Sequence, residues 1–271
     1  MKIRIISAAA LIPVLLILLM VAPTVVTAIV WGLLQAIAVY ELLYCTGLVR
    51  ESRLVVHAAV MAFAVTIWSH YGSIHAFGLL GLMVFIMVLF AEMMLSHVKI
   101  TFDKICMCFV AGLVFPFLFG SLIRILVMSR IGRYMVLIPF IVAFCSDAGA
   151  YFAGHFFGQH KLAPVISQHK TVEGAIGGII AATVFMVVYC AVLQFAFDFQ
   201  VRYGFAVIYG ILGSCVGIFG DLCFSVIKRQ TGIKDYGNLI PGHGGILDRF
   251  DSMLMVGPLM EALLTLIPLA V

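Results

Sequence analysis

Charge is what this sequence has least of. Its 271 residues include 16 Lys and Arg and 12 Asp and Glu, so 10% of the chain is charged while 64% is hydrophobic. Soluble domains carry about 25% charged residues, and the shortage excludes an ordinary water-soluble globule. Strict alternation of apolar and polar residues is missing as well. A membrane barrel needs that period of two in each strand. The solid apolar blocks here leave helices to satisfy the backbone inside a bilayer. The cysteines make no framework: Cys45, Cys106, Cys108, Cys145, Cys190, Cys215 and Cys223 are odd in number and match no zinc or disulfide spacing. They read as small packing residues. No GxxxxGK[ST] loop occurs, which argues against a P-loop ATPase, and no HExxH zinc motif. No linker, low-complexity tract or strong repeat divides the chain.

What is present is a series of long apolar runs. They predict an all-α integral membrane protein, a polytopic bundle of about nine transmembrane helices forming one membrane-embedded domain over 1–271. The spans fall at about 5–21, 25–47, 54–72, 76–96, 104–128, 134–157, 173–197, 203–228 and 250–270. A basic start, an apolar core and a nearby "VVTA" imitate a secretory leader. The apolar stretch runs on to Tyr40, however, and reads better as two helices hinged near Ala22, Pro23 and Thr24. Twelve Lys and Arg fall on the side of the N-terminus, while Arg124, Arg130, Arg133 and Arg202 fall on the other. That bias places the N-terminus and two longer polar loops, 157–172 and 229–249, in the cytoplasm, and the C-terminus outside. Arg130 and Arg133 run against the rule. Small residues recur three or four apart at Gly210, Gly213, Gly217 and Gly220, and at Ala150, Gly154 and Gly158. Such stripes let helices approach closely in lipid.

Against this background one stretch stands out. "SVIKRQTGIKDYGNLIPGHGGILDRFD", Ser225 to Asp251, holds seven charged residues. Asp221, Ser225 and Lys228 are spaced i, i+4, i+7 and share one helix face, with Arg229 alongside. A carboxylate below a hydroxyl and two cations suits a metal-bound phosphate compound: Lys and Arg complement phosphate oxygens, and the carboxylate holds a hard divalent cation. Cations snorkelling at a helix end would explain Lys228 and Arg229 equally well if they stood alone. They do not. Lys234, Asp235 and the run Pro241-Gly242-His243-Gly244-Gly245 follow, with glycines that let N–H groups turn toward an anion. Asp248, Arg249 and Asp251 close the stretch, where helix capping competes with cation binding. His243 fits a loop hydrogen bond, a phosphate donor or a proton carrier. Ionisable groups inside spans cost about 2.5–3.5 kcal/mol and mark function. Of the others, Asp147 has Ser146 and small neighbours, whereas Glu41, Glu92 and Glu261 lie near span ends or lack polar company. Structural pairing explains these three as well as function does. The residues together predict a cytoplasm-facing, membrane-embedded site for phosphate groups and a divalent cation, with no nucleic acid as partner.

The stretch resembles the signature of the phosphatidate cytidylyltransferases (CDP-diacylglycerol synthases): Ser-x-apolar-Lys-Arg, four residues, Lys-Asp, a small residue, then Pro-x-His-Gly-Gly-apolar-x-Asp-Arg-apolar-Asp. Ser225, Lys228, Arg229, Lys234, Asp235, Gly237, Pro241, His243, Gly244, Gly245, Asp248, Arg249 and Asp251 occupy its positions. A second polar region of the family is similar to "DAGAYFAGHFFGQHKLAPVISQHKTVEGAIGG", with Lys161, Ser167, Lys170, Thr171, Glu173 and Gly174 in matching places. Gln168 and Val172 stand where many members have Pro and Trp, and Phe224 where many have Glu. The last departure removes a carboxylate near the implied metal site.

The resemblance implies an enzyme of phospholipid biosynthesis in a bacterial-type inner cell membrane, a nucleotidyltransferase. It would convert CTP and phosphatidate to CDP-diacylglycerol and pyrophosphate with Mg²⁺ and room for a second cation. In that reading Asp221 and Asp248 hold the metal, with Asp251 or Asp147 beside them. Lys228, Arg229 and Arg249 hold phosphate oxygens. Lys234, His243, Gly242, Gly244 and Gly245 shape the nucleotide loop, Ser225 and Asp235 bind substrate, and Lys161, Lys170 and Thr171 serve the lipid phosphate or the triphosphate. A homodimer is implied by the resemblance and by the small-residue helix faces. A transporter would also have many spans and intramembrane carboxylates. It is disfavoured by the absence of an internal repeat and by a charged cluster away from the midplane.

Overall fold

A computed structural model of the chain describes residues 2–72, 75–97, 99–239, 242 and 244–270, with side chains from residue 11 onward. Pro241 and His243, both named above, lie outside the described residues. Among the described residues the architecture is helical apart from one small hairpin. In chain order it comprises α1 (Lys2–Met20), α2 (Thr24–Cys45), α3 (Ser52–Tyr71), α4 (His75–Leu95), α5 (Phe102–Met128) and α6 (Gly132–Phe157). There follow β1 (Lys161–Ala163), β2 (Ser167–Thr171), α7 (Val172–Phe197), α8 (Tyr203–Gln230), α9 (Leu247–Phe250) and α10 (Met253–Leu266).

The helices form where the apolar runs predict them. Among the described residues seven are long and apolar enough to cross a membrane: α2 to α8. A bilayer core needs about 20 helical residues. The 14 residues of α10 rise only about 21 Å. At the other end of the chain α1 is 19 residues long, and Leu11–Met20 is its apolar part among the residues whose side chains are described. The expected hinge is present, since helix geometry lapses between Met20 and Thr24. Two helices widen locally to π geometry, α2 over Glu41–Cys45 and α5 over Val110–Val114.

The chain divides into two compact units. The first comprises residues 1–133 and 228–250, the second residues 134–227 and 251–271. In the first unit α2 packs along α3, where a Cβ on Gly32 would lie 2.7 Å from the Phe63 ring. Trp31 of α2, Phe119 of α5 and Phe250 of α9 form an aromatic trio with ring centroids 5.0–5.4 Å apart. Phe250 thereby roots the end of the polar stretch in apolar core. The unit also accounts for one of the two arginines that defied the charge bias. Arg133 donates to the carbonyls of Met20 and Ala22, capping the C-terminal end of α1, where orphan carbonyls favour a cation.

The second unit is built on close helix contacts. A Cβ on Gly149 would lie 2.3 Å from Ala181 and one on Gly177 2.2 Å from Ala153, so α6 and α7 meet almost backbone to backbone. Gly210 faces Thr183 of α7; Gly213 faces Val142 of α6 and Met260 of α10. Gly217 and Gly220 face Val256 and Met255. The glycine stripe of α8 is therefore covered by the chain's own helices. The segment predicted as the loop 157–172 folds as an antiparallel hairpin, Lys161 opposite Thr171 and Ala163 opposite Ser167, with an irregularity between. Pairing gives its backbone groups partners that an open loop would seek from water.

Candidate active site

The signature stretch begins on α8, which is unbroken from Tyr203 to Gln230. Asp221, Ser225 and Lys228 therefore keep their i, i+4, i+7 relation.

In the first unit the site is organised by Asp248, whose side chain is 2% exposed. Its Oδ1 accepts from Lys228 Nζ at 3.0 Å. Its Oδ2 accepts from the backbone N–H of Tyr236 at 2.8 Å and of Gly245 at 3.0 Å. A buried carboxylate needs such compensation. The Lys228 ammonium also lies 5.3 Å from the centroid of the buried Tyr236 ring, a cation–π contact. Gly244 has φ +85°, and a Cβ there would lie 2.8 Å from Asp248 Oδ2. Only glycine suits both the left-handed backbone and the space. Arg229, Lys234, Asp235, Gly242 and Arg249 are exposed around this core.

A second carboxylate holds the same loop. Glu41, 3% exposed, begins the π stretch of α2. Its Oε1 accepts from Ile246 N–H at 3.0 Å and its Oε2 from Leu247 N–H at 2.9 Å. This changes the reading of the glycine run. Its N–H groups were expected to face a ligand's anion. Of that run, Gly245 gives its N–H to Asp248, and the two N–H groups that follow, of Ile246 and Leu247, go to Glu41. Glu41 is the residue that sequence reasoning underweighted. Its signals were an acid inside an apolar span and, in the fold, a π turn of the kind frequent at functional sites.

In the second unit Lys170, the penultimate residue of β2, pairs with Asp221 Oδ2. Both side chains are about a quarter exposed, 26% and 27%. Ser225 Oγ approaches Asp221 Oδ1 at 3.4 Å, beyond good hydrogen-bond length for hydroxyl and oxygen. The hairpin that carries Lys170 is braced from within. Lys161 Nζ donates to Gln168 O at 2.8 Å. Thr171 caps α7 by accepting from Gly174 N–H at 3.1 Å. Glu173 accepts from the N–H groups of Gln159 and His160 and meets His160 Nδ1 at 2.6 Å. Lys161 and Thr171 thus shape the hairpin, while Lys170 is delivered to a carboxylate. Asp147 on α6 is exposed and Asp251 half-buried.

Each of the two aspartates expected to hold a metal faces a lysine ammonium, Asp221 through Lys170 and Asp248 through Lys228. Both are places where the fold already holds positive charge beside a carboxylate. Among the described residues no three His, Cys, Asp or Glu side chains gather. Magnesium takes one or two carboxylates and completes its shell with water and substrate phosphates; here each candidate carboxylate already has a lysine partner.

Comparison with known proteins shows the family. The sequence model of the cytidylyltransferase family matches residues 2–267. A phosphatidate cytidylyltransferase of Staphylococcus haemolyticus is 44% identical over 133 residues, which is 49% of this chain and 50% of the relative. Its counterpart in Bacillus subtilis is 39% identical over 166 residues, 61% of this chain and 60% of the relative. The chain spans about half to three-fifths of the length of these curated relatives. The family match runs nearly end to end, through the braced hairpin, α8 and the carboxylate-clamped loop alike: the chain belongs to the cytidylyltransferase family.

Proposed function

We propose that this protein transfers CMP from CTP to phosphatidate, giving CDP-diacylglycerol and pyrophosphate, at the cytoplasmic face of a bacterial-type inner membrane. The observation that carries the reading is the pairing of Lys228, in the last turn of α8, with the buried Asp248 of a loop matching the family signature. A cation held this firmly at a helix end, among exposed arginines, suits a substrate rich in phosphate oxygens.

The reaction joins a phosphate oxygen of phosphatidate to the α-phosphorus of CTP. The bond from that phosphorus to the α–β bridging oxygen breaks, and pyrophosphate leaves with the electron pair. Attacking and leaving groups are both anionic, so positioning and charge neutralisation are the main requirements. Lys228, Arg229 and Arg249 are assigned to the phosphate oxygens and the leaving pyrophosphate. The hairpin carrying Lys161 and Lys170 is assigned to the lipid phosphate or the triphosphate. Asp221 is assigned as a magnesium ligand and Asp248 as the carboxylate its unit offers for the same purpose, with Asp251 and Asp147 as further candidates. Magnesium, when bound, supplies neutralising charge to the phosphates. A homodimer remains the proposed assembly, although the α8 glycine stripe is already occupied within the chain.

The test is pyrophosphate release by the purified full chain, supplied with CTP and phosphatidate in detergent micelles, with and without Mg²⁺. Turnover that needs all three is expected. Turnover with a polyprenyl phosphate but not with phosphatidate would overturn the lipid assignment. Near-normal Mg²⁺-dependent turnover in Asp221→Asn would remove that residue from the metal site.

A further inference from the structure

The loop of the signature rests on a residue outside it. Glu41 comes from α2, more than 200 positions away in the chain, |i−j| being 205 to Ile246. Its carboxylate accepts both successive N–H groups that lead into Asp248. It also occupies the space where two signature positions lack side chains. A Cβ on Gly237 would lie 2.4 Å from Glu41 Oε1, and one on Gly245 2.4 Å from Oε2. Glycine at these positions is thus a consequence of the carboxylate seated between them. Two carboxylates, Glu41 and Asp248, together take the N–H groups of Tyr236, Gly245, Ile246 and Leu247.

We propose that Glu41 is a positioning residue for the nucleotide triphosphate, holding residues 245–247 so that Lys228 and Arg249 face it in a fixed arrangement. The inference rests on the cytidylyl-transfer reading above. Its physical basis is the rigidity of the tie. Charge-assisted hydrogen bonds to backbone are short and strong, and backbone at 246–247 cannot move without carrying Asp248 and Arg249 along. A neutral side chain of the same shape loses the charge and turns a donor toward one of the two N–H groups. An anchor that served stability alone would lower the melting temperature of the protein and leave its affinity for CTP unchanged.

The experiment uses Glu41→Gln in the purified full chain, with three readouts: amide hydrogen exchange over 242–250, equilibrium binding of CTP, and turnover. Exchange at Ile246 and Leu247 is expected to quicken at least tenfold while the long helices keep their protection. CTP affinity should fall about tenfold, with the KM for phosphatidate within about twofold of wild type. Gly245→Ala, which presses on the same carboxylate, should weaken CTP binding in the wild-type background and add nothing in Glu41→Ala. If Glu41→Gln does not purify as a monodisperse helical protein, Gly245→Ala carries the same expectation for exchange and CTP affinity. Unchanged exchange at 246–247 overturns the tie, and faster exchange with unchanged CTP affinity overturns the positioning role. Wild-type protein that binds CTP but forms no CDP-diacylglycerol overturns the reaction, while CTP affinity still decides the role of Glu41. Wild-type protein that binds no CTP overturns both.

Discussion

Asp248 shows how closely structure and chemistry are joined at single residues. It belongs to the signature, and its carboxylate also accepts from Lys228 and from two backbone N–H groups. Removing one partner of a buried charge pair leaves the other uncompensated and costs about 3–5 kcal/mol. Asp248→Ala is therefore expected to lose turnover and also to unfold at markedly lower temperature, whereas Arg249→Ala, on an exposed side chain, should lose turnover with little change in melting. Thermal unfolding of both variants, read beside pyrophosphate release, separates these outcomes. The spacing of the sequence grouped Lys228 with Asp221 and Ser225 on one helix face; its pairing with Asp248 appears only in the fold. The spacing did not show that Gly245 N–H turns inward, because a glycine pattern reports freedom of φ and not which anion the backbone will meet. Glu41 was harder still, since nothing local links it to a loop so distant in the chain.

At the scale of elements, small residues and one ion pair decide how helices meet. Gly177→Val would drive a side chain into Ala153, where even a Cβ has only 2.2 Å. Overpacking of this kind costs about 1–3 kcal/mol. Gly81 on α4 has nothing within 4 Å of an added Cβ, so Gly81→Ala should stay within about 0.5 kcal/mol of wild type. Denaturation of the two variants in the same detergent checks the contrast. Glu51, in the turn before α3, pairs with Lys104 of α5. The Lys104 ammonium holds its carboxyl below the usual carboxylate range, ahead of a smaller opposing effect of burial. A carboxylate whose folded value is depressed stabilises above its unfolded value, about 4.3 for Glu, and loses that contribution as pH falls through the folded value. Acidification from neutrality to below pH 4 should thus lower the melting temperature of wild type more than that of Glu51→Gln. Equal slopes of melting temperature against pH would remove the pair from the acid response.

Over the whole molecule, the charge bias of the loops makes an orientation testable. In a cysteine-free background, Asn238→Cys is expected to react with an impermeant maleimide only from the cytoplasmic side, and Ser129→Cys only from the opposite side; both native residues are exposed. Labelling of Asn238→Cys from outside would reverse the assignment. Composition by itself determined that this is a helical membrane protein, because a bilayer tolerates so few charges and requires every backbone polar group to be paired internally. The signature by itself determined the family, because its thirteen matching side chains and spacings survive without any knowledge of packing. Only the tertiary structure decided which helices are long enough to span, that the segment before α7 is a hairpin presenting Lys170 to Asp221, and that Glu41 supports the loop. Span length depends on where helices stop, and ion pairs and buried hydrogen bonds depend on distances through space. The order of residues along the chain does not contain those distances until the helices have packed.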